Sequence, residues 1–299
     1  MQESLKGQWL CSLAMVTVGS TVVASRIIGH DMEPFLATAL RHAAALPLFV
    51  LLMRLTRARW PRVGRRDAAL LLLQAAAGSV GYTVLLIQGV TWSSAADAGV
   101  VAGTLPAMSA LFAALFLGER PGARMFASIA LATAGVMAVA FSPGAASDSP
   151  TRLAGIALVL AAIACEAVFI LANKRLSQPM PALPLSTLMS AGGLLLSLLP
   201  AWWRWGAAPS TFSTPALAGL LYYAWVPTVG GFLLWYAGSQ RTTGARAALA
   251  TVWLPVSALL LSAVVLREPI GLWQWAGLGC VLAALWLAVP RQRGSGAAA

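Results

Sequence analysis

The chain has 299 residues, 59% of them hydrophobic and only 10% charged, with a formal net charge of +11. A soluble domain averages about half apolar and a quarter charged residues, so a soluble class is excluded. The apolar residues fall into runs of about 20, the length of a membrane-crossing helix, without the alternating segments of a barrel, so the fold class is an all-α membrane protein.

In chain order, ten transmembrane helices are predicted at 9–28, 35–53, 68–90, 96–117, 125–142, 153–172, 185–203, 216–238, 247–266 and 270–289. The first run lacks a cleavage site followed by a polar domain and reads as a permanent helix. With the N-terminus inside, the cytoplasmic segments hold 15 of the 20 basic residues, among them Lys6, six arginines between 54 and 66, Lys174 and Arg175. Positive residues are retained in the cytoplasm during insertion, so both termini are placed there, and the basic charge needs no nucleic-acid partner.

Residues 104–139 recur at 253–288: Pro106, Leu117, Glu119 and Gly122 match Pro255, Leu266, Glu268 and Gly271, each pair 149 residues apart. Five spans per half is an odd number, so the second half enters the membrane from the opposite face. The expectation is two inverted five-helix repeats, residues 1–145 and 146–299, joined by the outer loop SPGAASDSPTR at 142–152. Inverted repeats are typical of secondary transporters, where rocking of one half against the other exposes a midplane site to each side in turn.

Candidate site residues come from polar, aromatic and helix-breaking positions inside spans. Glu166 is the one carboxylate deep within a span, and an ionisable group there should face a cavity or a partner: either it binds a substrate ammonium or carries a proton, or it pairs with Lys174 or Arg175. Tyr82, between Gly78 and Gly81 and Thr83, supplies a ring with a polar handle at mid-depth. Ser20, Thr104, Thr228 and Trp253 complete the expected substrate-binding set, and Pro106 and Pro255 are the expected hinges, since each removes a helix hydrogen bond at an equivalent place in the two halves. Arg41 reads as snorkelling outward or pairing with Asp31 or Glu33, with a carboxylate anchor or an outer gate as the alternative, and His42 reads as packed. With few basic residues expected at the midplane, multiply charged anions lack a counter-charge, which favours an uncharged or zwitterionic solute. Gly99 and Gly103 read as a close-packing surface.

Cys11, Cys165 and Cys280 lie in apolar runs without metal-ligand spacing, so neither a disulfide nor a metal is expected. The chain has no phosphate-binding loop, nucleophile elbow or zinc-protease motif; it reads as a non-enzyme without cofactor, driven by a gradient.

Pro106, the Leu117-Gly118-Glu119 turn, the small-residue helix around Gly135, GSTVVASRI at 19–27 and Arg41 together resemble the EamA domain of the drug/metabolite transporter superfamily. Arg267 departs from the pattern, standing where a glycine precedes the glutamate. The resemblance implies a ten-helix exporter of small metabolites in the bacterial inner membrane, with a central cavity, and is narrowest with the YddG-type aromatic amino-acid exporters. The implied partners are a small-molecule substrate and membrane lipid, and a monomer suffices. The alternatives are an exporter of drugs or lipid-like metabolites, and a non-transporting receptor or scaffold.

Overall fold

The computed structural model describes residues 2–117, 122–142, 150–205, 210–242, 246 and 249–288. Gly118 and Glu119, most of the expected outer loop, residues 247–248 and residue 289 lie outside them. Among the described residues the chain is helical throughout, with no strand. α1 (Gln2–Asp31) and α2 (Pro34–Leu55) are followed by α3 (Arg65–Gln74), a π-turn (Ala75–Gly81) and α4 (Tyr82–Trp92), which form one continuous run. α5 (Ala95–Ala102) and α6 (Leu105–Leu117) form a second run bent by 46°. α7 (Ala123–Ala140), α8 (Pro150–Lys174) and α9 (Ala182–Arg204) come next. α10 (Thr214–Tyr223), a second π-turn (Ala224–Gly230) and α11 (Gly231–Ser239) make another continuous run, and α12 (Trp253–Val265) and α13 (Leu272–Ala288) complete the bundle.

Seven of these stretches are long and apolar enough to cross a bilayer, and the bent α5–α6 pair makes an eighth. The two remaining helices occupy the last two predicted spans but have 13 and 17 residues. Over these described residues, at about 1.5 Å per residue, neither reaches the roughly 30 Å of a hydrocarbon core.

Caps and breaks follow from local chemistry. The Glu33 carboxylate accepts from Leu36 N at 2.9 Å ahead of Pro34, and the Ser213 and Ser94 hydroxyls cap α10 and α5 in the same way. The bend before α6 lies at Gly103–Thr104, where Pro106 has no N–H for Ala102 O and its ring would crowd that carbonyl; the helix therefore restarts with Pro106 in its first turn. Thr251 and Val252 form the matching turn ahead of Pro255. Both prolines thus sit just after a break, not at a kink within a helix. Pro227 likewise leaves Tyr223 O without its helical donor, and the Thr228 hydroxyl takes that carbonyl at 2.8 Å inside the second π-turn.

Helices cross where glycines face each other. A Cβ on Gly155 would meet Gly89 O at 2.8 Å at the α4–α8 crossing, and one on Gly238 would meet Gly7 O at 2.7 Å at the α1–α11 crossing. Gly135 and Gly277 bring α7 against α13 in the same manner, and Gly99 and Gly103 set α5 against Ala258 and Pro255 of α12. α1 packs on α11 and α12, α8 packs on α4 and α6, α2 packs on α9, and α7 packs on α13. Arg267 ends α12 with φ 55°, a conformation that costs a side-chain-bearing residue about 1–2 kcal/mol and glycine little. That explains the motif glycine at this place.

At one end of the bundle a polar cluster joins elements distant in sequence. Arg152 donates to Asp97 at 2.9 Å, to Val139 O at 2.8 Å and to Ser142 Oγ at 3.1 Å, while Gln274 Nε2 reaches the other Asp97 oxygen at 2.9 Å. Beside it the Glu268 carboxylate accepts from Ala95 N and Ala96 N at the start of α5. Asp97→Ala leaves Arg152 buried without its carboxylate, which costs about 3–5 kcal/mol. A clearly lowered unfolding temperature in detergent, with Ser94→Gly falling by far less, is the expected result.

Candidate functional site

A cavity of about 160 Å³ lies where the middles of α1, α2, α8 and α9 meet the two π-turns. Its lining includes the apolar Ile163, Phe169, Met189, Phe232 and Leu254 and the polar Thr21, Arg41, His42, Ser79, Thr83 and Thr228. The π-turns occupy equivalent stretches, 75–81 and 224–230, again 149 residues apart, and each contributes to the lining: Gly78 and Ser79 from the first, Pro227 and Thr228 from the second. Single-turn π-segments interrupt the regular helical ladder and recur at functional sites. Here Gly78 has a specific task, because a Cβ there would meet the Phe169 ring at 2.7 Å, so the phenylalanine lies flat on the bare backbone.

Arg41 does not point outward. It is 7% exposed, and its guanidinium turns into the cavity wall, 4.6 Å above the Tyr223 ring. Nη1 donates to Thr228 Oγ1 at 3.0 Å; Nη2 donates to Thr83 Oγ1 at 2.8 Å and Ser79 O at 3.2 Å, and lies 2.9 Å from His42 Nε2. The expected partners are engaged elsewhere: Glu33 caps α2 and pairs with Arg204 at 3.1 Å, and Asp31 binds the Ser213 hydroxyl. This corrects both the outward reading of Arg41 and the expectation of a midplane without a cation. A signal was present in the sequence, since Thr38, Arg41, His42, Ala45 and Phe49 follow helical spacing and all five are buried on one stripe of α2. His42 packs as expected, in room left by Gly193, where a Cβ would meet Nε2 at 2.4 Å.

Glu166 is half-buried and also lines the cavity. Among the described residues it makes no ion pair and no side-chain hydrogen bond, and Arg175, one of its expected partners, donates to Phe116 O at 3.0 Å. Tyr82 lies within electrostatic reach of both Glu166 and Arg41. Of the six residues expected to bind substrate, the structure brings Tyr82, Glu166 and Thr228 together. Ser20 is engaged with Thr17 O at 2.6 Å and the Tyr222 hydroxyl at 2.8 Å, away from the cavity. Thr104 gives its hydroxyl to Val101 O at 2.7 Å within the helix break. Trp253 is 45% exposed on the outside of the bundle, and its neighbour Leu254 faces inward instead. Adjacent helical residues differ by about 100° in direction, so a shift of one position moves a side chain from lipid to cavity.

The fold and cavity define the class: a polytopic helical membrane protein with a polar-walled cavity at its centre. The EamA-like transporter family model matches residues 5–141 and 153–289, and the chain belongs to that family. It is 31% identical over 284 residues to the uncharacterized transporter YetK of Bacillus subtilis, covering 94% of this chain and 86% of that protein. It is 29% identical to a "Probable terminal-alkyne amino-acid exporter" of Streptantibioticus cattleyicolor, over 88% of this chain and 86% of that one. It is 28% identical to a "Probable amino-acid metabolite efflux pump" of Salmonella typhimurium, over 96% and 95%. A solved crystal structure with 19% identity superposes with a TM-score of 0.65 over 94% of this chain and 97% of that one, which shows the shared fold.

In a background with Cys11, Cys165 and Cys280 replaced by alanine, Glu166→Cys, at a half-buried lining position, should react with a hydrophilic thiol reagent. Ser20→Cys and Thr104→Cys should react at least about tenfold more slowly, because thiol reactivity follows exposure. Labelling rates measured by mass spectrometry check this.

Proposed function

We propose that this membrane transporter exports small amphipathic metabolites, foremost neutral amino acids including aromatic ones, from the cytoplasm across the inner membrane. The observation that carries the reading is the cavity, whose lining holds an unpaired carboxylate, Glu166, the guanidinium of Arg41, several hydroxyls and a set of apolar side chains. A solute with a charged head and an apolar side chain matches both kinds of group. At about 160 Å³ the cavity is close to the roughly 150 Å³ that admits a benzene-sized group, which suits side chains of leucine or phenylalanine size. One relative is named a "Probable terminal-alkyne amino-acid exporter" and another a "Probable amino-acid metabolite efflux pump", in keeping with this assignment.

The transport cycle follows from treating residues 1–145 and 146–299 as inverted repeats, ten crossings in all, with both termini in the cytoplasm. The packing favours this. Moving α4 forward and α8 back by 149 residues turns the α4–α8 contact into the α11–α1 contact, with Gly89 and Gly238 at equivalent crossings, and the two π-turns are related by the same 149 residues. Breaks before Pro106 and before Pro255 supply flexing points on either side of the cavity, one in each half. Alternating access then consists of rocking the halves about the cavity, with the Asp97–Arg152 cluster at the outer face. Such a cycle uses no cofactor and no bond-making chemistry, and one protomer completes the cavity.

A second reading, an exporter of apolar drugs or lipid-like metabolites, draws on the apolar lining of Ile163, Phe169, Met189, Phe232 and Leu254. It gives Glu166 and the polar lining residues no task. Uptake of labelled leucine and phenylalanine into proteoliposomes, with and without a pH gradient, separates the two. Saturable flux is expected, and Glu166→Gln should lower its kcat/KM by about tenfold or more, the effect of losing a charged hydrogen-bond partner worth about 1.5–3 kcal/mol. Absence of amino-acid flux in sealed vesicles that still move an apolar dye would favour the second reading.

A further inference from the structure

We propose that Arg41 is the residue that recognises the carboxylate of the substrate, with Glu166 receiving its ammonium, so that the solute carried is a zwitterion with one free carboxylate. The inference rests on the transporter reading above and specifies the chemistry of its site.

Other arginines of this chain lie against carboxylates. Arg152 is buried against Asp97, Arg204 meets Glu33, and Arg26 lies 4.0 Å from Glu268. Arg41 is buried as deeply as any of these, yet among the described residues no carboxylate lies within ion-pair distance of it. Its acceptors are two hydroxyls, one backbone carbonyl and one imidazole nitrogen, all neutral, and its Nε has no acceptor at all. A guanidinium offers five N–H donors in a planar fork that matches a carboxylate. A cation held in a low-dielectric interior by dipoles alone is strongly stabilised by any anion that arrives, and the cavity is the open space beside it.

The surroundings fix Arg41 for this task. Tyr223 stacks beneath the guanidinium, while Ser79 O and Thr228 Oγ1, at equivalent places in the two π-turns, hold it from both sides. The position equivalent to Arg41 in the second half is Ser190, also in the lining, so the cavity wall carries one fixed cation and not two. One cation and one carboxylate in the same lining complement a zwitterion; a phosphate ester would bring more negative charge than this lining neutralises. The two π-turns thereby make the cation's position depend on both halves.

The test is competition against labelled leucine uptake in proteoliposomes by leucine, by leucinamide, which lacks the carboxylate, and by N-acetylleucine, which lacks the ammonium. In the wild type both analogues should need at least about tenfold higher concentration than leucine for half-inhibition, as expected for loss of a charged hydrogen bond. Arg41→Gln should raise the half-saturation for leucine by a similar factor and remove the preference for leucine over leucinamide, with preference over N-acetylleucine retained. Thr228→Val should weaken leucine transport severalfold and keep both preferences. If leucinamide competes as well as leucine in the wild type, the carboxylate role of Arg41 is overturned and amino-acid transport stands. If leucine itself is neither carried nor able to stabilise the protein against heat, the substrate reading falls with it. The wild-type analogue series decides the matter even where Arg41→Gln does not fold.

Discussion

A guanidinium in the middle of a membrane bundle has to be solvated by the protein, and the arrangement around Arg41 shows what that requires. An arginine at the centre of a spanning helix costs about 2.5–3.5 kcal/mol even on the gentler insertion scales. The chain offsets this with hydroxyls from α4 and the second π-turn, a carbonyl from the first and the Tyr223 ring, none of them charged. Regular helices would have their carbonyls engaged in their own ladder. The π-turns loosen the ladder locally, and that leaves Ser79 O free to accept and Thr228 placed to accept as well. Helix irregularity and buried charge are therefore two aspects of one design, and the cavity sits where they meet.

Polarity elsewhere in the bundle is handled differently. At the end containing Asp97 and Arg152, opposite charges are paired, further satisfied by Gln274, Ser142 and Val139 O, and joined to the cap that Glu268 places on α5. Such a closed network holds elements together and offers nothing to a ligand. The contrast is between a charge paired with a carboxylate inside the bundle and the Arg41 guanidinium, which meets only neutral groups.

Much of the architecture was legible in the sequence, because it depends on composition and spacing. The runs of apolar residues located every helix described, and the 149-residue repeat anticipated the matching breaks before Pro106 and Pro255. Glu166, Tyr82 and Thr228, picked out because a polar group deep in a span has few reasons to be there, all line the cavity. What the sequence left open was direction around each helix. Trp253 and Leu254 are neighbours, yet one faces outward and the other lines the cavity. Ser20 and Thr104 sit at suitable depth, but their hydroxyls return to carbonyls of their own helix. Arg41 was placed outward because long basic side chains near a helix end usually escape to water; the buried stripe on α2 and the prior engagement of Glu33 and Asp31 decide otherwise. The π-turns had no visible cause in AAAGSVG, and only their coincidence with AWVPTVG under the repeat brings them out.

The central claim is that the cavity reads both ends of a zwitterion. The most direct measurement is an experimental structure of the protein in lipid nanodiscs with leucine bound. The account predicts the ligand carboxylate at hydrogen-bond distance, about 3 Å, from the Arg41 guanidinium, with the ammonium directed at Glu166 and the side chain against Phe169 and Met189. Ligand bound outside this cavity, or bound with its carboxylate turned away from Arg41, would contradict it.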